Sequence, residues 1–345
     1  GLDKLDGLKL ESHFSSKSGI QAELAANELI MDGNRVTGLL LTANTTDSVL
    51  KLNMAARQLA SGTSLLMDST ILQASLANNK IDLDLLVKDR AARDRYALKA
   101  QLQQQADGNL VFALKPQGLL LNYEKWDVSA ANNIILTADG GLQAQDFILS
   151  QGSEQLSLQS LSKAANAPLH IKFSDFRLST FTSMVMADSS LVDGRLTGEL
   201  DLRDLQTKPA FTGDVQIKDL SYHRDTIGNV TARLNNSGSS DLYYADITLS
   251  GRGNEATVKG SYNAATAAVD LNVDLDKLPL KTAEAFSGGS IRNTTGYVAG
   301  PFRITGSIDS PSIIGDLKFH QAGLNVAMLN SYFRIDNEQL QFTRD

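Results

Sequence analysis

Cysteine is absent from the 345 residues, which excludes structural disulfides, thiolate catalysis and cysteine-ligated zinc. Aromatic residues make up only 6%, with a single tryptophan, Trp126. A β-sandwich normally gathers large rings at its centre, so this scarcity speaks against a jigsaw core throughout. Basic side chains, 32 against 39 acidic ones, form no stripe, which argues against a nucleic-acid partner, because such binding rests on clustered lysine and arginine. No apolar run reaches the roughly 18 residues of a membrane helix. The chain opens Gly1-Leu2, with neither methionine nor a basic leader, so any targeting element or anchor is expected outside it.

What is present is alternation. Ile20-Ala22-Leu24-Ala26, Ile81-Leu83-Leu85, Tyr96-Leu98-Ala100-Leu102 and Leu110-Phe112-Leu114 alternate with polar residues, as do Ile171-Phe173, Leu200-Leu202, Val215-Ile217, Ile247-Leu249 and Val269-Leu271-Val273-Leu275. A period of two describes strands with one apolar and one polar face. Asp32-Gly33-Asn34, Asp107-Gly108-Asn109, Asp139-Gly140-Gly141, Asn235-Asn236-Ser237-Gly238 and Gly251-Arg252-Gly253-Asn254 separate the runs with residues that tolerate the positive φ of tight hairpins. The expected fold is all-β: an elongated antiparallel meander curled into an open apolar groove, with at most one or two short helices. Leu178–Val185 has helical spacing, and Met54–Leu59 fits helix or strand.

Shifting the sequence on itself by 102 residues reveals a repeat. Gly194, Gly198, Pro209 and Gly213 fall on Gly296, Gly300, Pro311 and Gly315. Leu200, Leu202, Val215 and Ile217 fall on Phe302, Ile304, Leu317 and Phe319, and Leu178 and Thr180 on Leu280 and Thr282. One offset that keeps turn residues and alternation together marks an internal repeat. Three segments follow: a strand array over 1–168, one repeat over 169–270, and a second over 271–345 that stops short, so the array is expected to continue. Gly194 and Gly198 suit bulging or curvature within a strand, and Pro209 and Pro311 are expected just before their strands.

Other motifs read as ordinary strand surface. His13, His170, His223 and His320 lack ligand spacing. Ser48-x-x-Lys51 and Ser160-x-x-Lys163 lack the companion elements of a serine acyltransferase. Asp82 and Asp84 alternate with leucines and face solvent rather than a glycosidase cleft. No cofactor and no catalytic constellation is expected.

The strings DGRLTGELDLRDLQTKPAFTGDVQIKDLSY (193–222) and TTGYVAGPFRITGSIDSPSIIGDLKFHQAG (294–323) carry Gly-x-x-x-Gly, alternating apolar residues, proline and a glycine four residues later. With LNVAMLNSYFRIDNEQLQF (324–342) and the stretch from Gly118 to Leu158, they resemble the carboxyl-terminal part of TamB-type translocation and assembly module proteins, of the AsmA-like, bridge-type lipid-transfer group. The resemblance runs over roughly residues 110–345. It implies a lipid-lined trough in the periplasm of a double-membrane bacterium. It further implies an anchor elsewhere in the same chain in the inner membrane, and an Omp85-type barrel as outer-membrane partner. Phospholipid acyl chains are the expected ligand. Leu, Ile, Val and Ala give a smooth face, and each methylene moved onto it gains about 0.8 kcal/mol. Two rival readings are a scaffold that helps outer-membrane β-barrels assemble through its sheet edge, and a β-helix enzyme, whose coils of about 20–25 residues do not fit the 102-residue period.

Overall fold

The computed structural model describes residues 1–15, 19–61, 64–164, 167–185, 191–205, 209–236 and 241–343. About 74% of the chain is strand and 4% helix, and the antiparallel sheet is open rather than closed into a barrel. Two compact units divide it: Gly1–Leu169 with Thr180–Ser189, and His170–Ser179 with Ser190–Asp345. Among the described residues no helix is long and apolar enough to cross a membrane.

The first unit begins with β1 (Leu2–Asp6) and β2 (Lys9–Ser15), which share one edge of β3 (Gly19–Met31). A meander follows through β4 (Asn34–Thr46), β5 (Val49–Ser61), β6 (Ser64–Ala77), β7 (Lys80–Lys88) and β8 (Asp94–Gln104). Met54–Leu59 is strand, inside β5. The hairpins turn on residue pairs with positive φ, such as Asp32-Gly33, Asp47-Ser48 and Asn78-Asn79. That conformation matches the right-handed twist of the strands it joins.

At β8 the meander forks, against expectation. The carboxyl half of β8 pairs with β9 (Leu110–Leu114), while Ala97 pairs with Leu120 of β10 (Leu119–Leu121). Pro116 and Gly118, the latter at φ 92°, separate β9 from β10. One branch continues from β9 to β12 (Asn133–Leu136) and β13 (Leu142–Gln145). The other runs from β10 through β11 (Glu124–Val128) to β14 (Phe147–Gln151) and β15 (Glu154–Ser160). The branches meet where the Ala144 amide donates to Ser160 Oγ at 2.9 Å. Trp126, Val128, Ala144, Leu149 and Leu156 are buried here, so this end of the unit is filled by the protein's own side chains.

The second unit opens with β16 (Leu169–Arg177), which leads into α1 (Leu178–Val185), the helix that the spacing predicts, of which Thr180–Val185 group with the first unit. A meander follows: β17 (Val192–Arg203), β18 (Ala210–Tyr222), β19 (Asp225–Asn236), β20 (Leu242–Gly251), β21 (Asn254–Asn263) and β22 (Ala268–Pro279). After α2 (Leu280–Phe286) come β23 (Ile291–Ser307) and β24 (Ser310–Val326), whose far edge is shared by β25 (Ser331–Ile335) and β26 (Gln339–Phe342). Ser237 and Gly238 of one expected turn lie outside the described residues.

The 102-residue offset recurs in the backbone. Leu196↔Ile217 and Leu200↔Gly213 in β17–β18 become Val298↔Phe319 and Phe302↔Gly315 in β23–β24. Even the register shift is repeated, with Asp193↔Ser221 answering Thr295↔Gly323. Gly194 and Gly296 sit at these shifts. Pro209 precedes β18 as expected, whereas Pro311 lies inside β24, opposite Gly306. It is tolerated there because it stands next to the hairpin, where one lost ladder bond costs little.

Candidate functional site

The registers of the second unit stack the alternating residues into rows across the strands. One row is Leu196–Ile217–Val230–Leu249–Ala256–Leu275. The next runs Gly198–Val215–Ala232–Ile247–Val258–Val273–Phe302–Gly315, and a third Leu200–Gly213–Leu234–Ala245–Gly260–Leu271–Ile304. Leu202 faces Phe211, and Tyr243 faces Tyr262, which faces Val269, at the end of this surface. Leu317 and Phe319 extend it on β24 and pack, with Phe302 and Ile304, against a cluster formed by Val273, Leu275, Leu280 and Val298. Ile171 and Phe173 are half-buried on β16, with Phe173 edge-on to Phe176 at 5.9 Å. The structure thus brings the expected apolar residues of β17 to β24 onto one face.

A comparable face crosses the first unit. Leu24–Leu41–Met54–Leu72–Leu85–Leu98 form an unbroken row over six strands, and Ala22–Ala43–Leu52–Ala74–Leu83–Ala100 lie beside it.

Most of these side chains are only half-buried; Val273 and Leu275, near α2, are the buried ones among those expected to line the groove. The total surface says the same. Two compact domains of half the 37.2 kDa mass would together expose roughly 16,500 Å², whereas the chain exposes 19804 Å². A second sheet laid over these faces would have buried the rows.

The opposite face is polar and crossed by ion pairs. Glu199, Asp214, Arg233, Asp246, Lys259, Asn272 and Arg303 are successive cross-strand neighbours. Arg233 reaches Asp214 at 3.1 Å, Lys259 reaches Asp246 at 3.2 Å, and Arg303 reaches Asp270 at 2.7 Å. A hollow of about 350 Å³ lies among Asp214, Thr231, Arg233, Asp246, Thr248 and Lys259. It belongs to this polar face, where a twisted sheet leaves shallow saddles, and its charges already pair with one another. His170 joins the same face, with Nδ1 at 2.7 Å from Asp201, and His320 stacks on Tyr297.

Helix α2 sits at one end of the apolar rows, and periodicity did not reveal it. Only its offset from Leu178 and Thr180 points to it. Leu280, Thr282 and Ala285 are buried. Thr282 Oγ1 donates to Asn254 Oδ1 at 2.9 Å, while Asn254 Nδ2 donates to the Ile227 carbonyl at 2.7 Å. Burial would raise the Glu284 carboxyl, but Lys281 and the Thr294 hydroxyl and amide outweigh it and hold the pKa at about 2. A depressed carboxyl pKa stabilises the fold above the unfolded value of 4.5 and loses that effect as pH falls through 2. Between pH 5 and 2 the wild type should therefore lose on the order of 2 kcal/mol more than Glu284→Gln. Urea titrations at the two pH values, compared between the two proteins, measure this directly.

The chain is an antiparallel sheet protein, open rather than closed into a barrel, with apolar rows on one face and charged cross-strand neighbours on the other. No protein-family model matches it, and neither does any curated protein or solved structure.

Proposed function

We propose that this chain is a non-catalytic, lipid-binding segment of a periplasmic protein that moves phospholipid between the inner and outer membranes of a double-membrane bacterium. One observation carries the reading: three adjacent apolar rows span the strands from β17 to β22, most of their side chains only partly buried, in a sheet that is open rather than closed. Water leaves such a face readily for acyl chains, which need no fixed polar partner. The resemblance of residues 193–222 and 294–323 to the bridge-type lipid-transfer group supplies the compartment, the inner-membrane anchor and the Omp85-type partner.

The test is extraction. Full chain purified without detergent should release phospholipid into organic solvent, at one molecule or more per chain by mass spectrometry. A monomeric, well-folded preparation with no extractable lipid would overturn the reading.

A further inference from the structure

The apolar face of the second unit has two unlike ends. At the β22–β23 end, α2 closes it, with Leu280 and Ala285 buried and Asn254 locked under Thr282. At the other end, Tyr243 and Tyr262 point onto the face with their rings 6.2 Å apart, and Phe211 lies 5.8 Å from Tyr243. Asn236 is buried in the same row; its Oδ1 accepts from the Phe211 amide and its Nδ2 donates to the Pro209 carbonyl. The two phenol hydroxyls make no hydrogen bond to protein among the described residues. A tyrosine at the edge of an apolar surface, with its oxygen uncommitted, suits a boundary between hydrocarbon and polar groups.

Length points the same way. From Leu275 to Val269 on β22 is six residues of extended chain, about 20 Å at the rise of a strand. The acyl layer of one bilayer leaflet is about 15 Å deep, half the hydrocarbon core. One lipid tail therefore fits along the strands, between α2 and the tyrosines.

We infer that Tyr243 and Tyr262 form the ester-level rim of an acyl-chain site, with the chain lying parallel to the strands and its terminal methyl at α2. This rests on the lipid-binding reading above and adds an orientation and a subsite to it. Hydroxyls on the rim donate to the ester carbonyls of a glycerolipid, where the chain leaves the apolar rows.

Photolabelling of the full chain tests it. The protein is incubated with phosphatidylcholine vesicles doped with phosphatidylcholine bearing a diazirine either beside the ester carbonyl or at the chain terminus. After light and digestion, the carbonyl probe should mark the strand ends around Tyr243, Tyr262 and Val269 severalfold over Leu249 and Leu275, and the terminal probe the reverse. Equal or inverted patterns overturn the orientation while leaving lipid binding in place. Labelling that excess unlabelled phosphatidylcholine does not suppress overturns both. The double variant Tyr243→Phe/Tyr262→Phe should weaken lipid retention about tenfold with an unchanged thermal midpoint, since neither hydroxyl bonds to the described residues. Unchanged retention would remove the phenols from the site and the inference with them.

Discussion

Replacing Gly300 by alanine should destabilise the second unit by about 3 kcal/mol or more, a large share of a domain's net stability. Two facts combine. Gly300 has φ 138°, in a region that side-chain-bearing residues rarely adopt, and a Cβ built there would lie 2.1 Å from the Asp316 carbonyl oxygen on β24. Neither group has room to yield, because both belong to the backbone of paired strands. The cost therefore comes from strain and a broken ladder rather than from lost burial. Gly198 repeats the situation one repeat earlier, at φ 149° and 2.3 Å from the Asp214 oxygen. Alanine there should cost a similar amount. Gly33 is the control: its turn is open, with nothing within 4 Å of a new Cβ, so only the φ penalty of about 1 kcal/mol remains. Urea unfolding gives the three values, and hydrogen exchange shows whether protection is lost in β23 and β24. A Gly300→Ala protein as stable as the Gly33→Ala control would mean that this close strand approach is not needed by the fold.

These glycines also show how far the sequence could be read. Their spacing was legible, because residues that cannot be replaced recur at one offset, and their use for bulges and tight approach followed from lacking a side chain. The place of Gly198, Gly213 and Gly315 in the apolar rows, opposite Val215, Leu200 and Phe302, was hidden until registers were known. Alternation states which residues share a face but not which strands adjoin. That limit explains the fork at β8. Leu110-Phe112-Leu114 and the run around Trp126 each alternate correctly, yet nothing local tells that β9 and β10 divide one edge between them. Turn chemistry was partly legible. Asp32-Gly33 and Arg252-Gly253 announce hairpins, whereas Asp47-Ser48 and His223-Arg224 turn equally tightly without glycine. Helix α2 escaped notice because seven residues are too few for a period. Its stability comes from Asn254 and Glu284, which lie outside the pattern or look like ordinary surface. The rim tyrosines were invisible for a similar reason: Tyr243-Tyr244 places one ring on each face, and only pairing with Tyr262 shows which belongs to the apolar side.

The lipid reading makes its sharpest demand on two neighbouring residues. Ile247 lies in an apolar row between Ala232 and Val258, while Thr248, next along β20, faces the polar hollow. A carboxylate introduced by Ile247→Asp would have to lose its water whenever an acyl chain lay across it, at a cost of several kcal/mol. Half-burial leaves it enough solvent for the sheet itself to form. Lipid retention should therefore fall at least tenfold, equivalent to about 1.4 kcal/mol, while Thr248→Asp should retain lipid like the wild type. Apolar surroundings raise a carboxyl pKa, so acidification should neutralise the introduced group and restore retention to Ile247→Asp alone. Circular dichroism on each variant separates lost binding from lost structure. Equal retention by the two variants, both folded, would show that lipid does not distinguish the faces of the sheet, and the apolar rows would need another explanation.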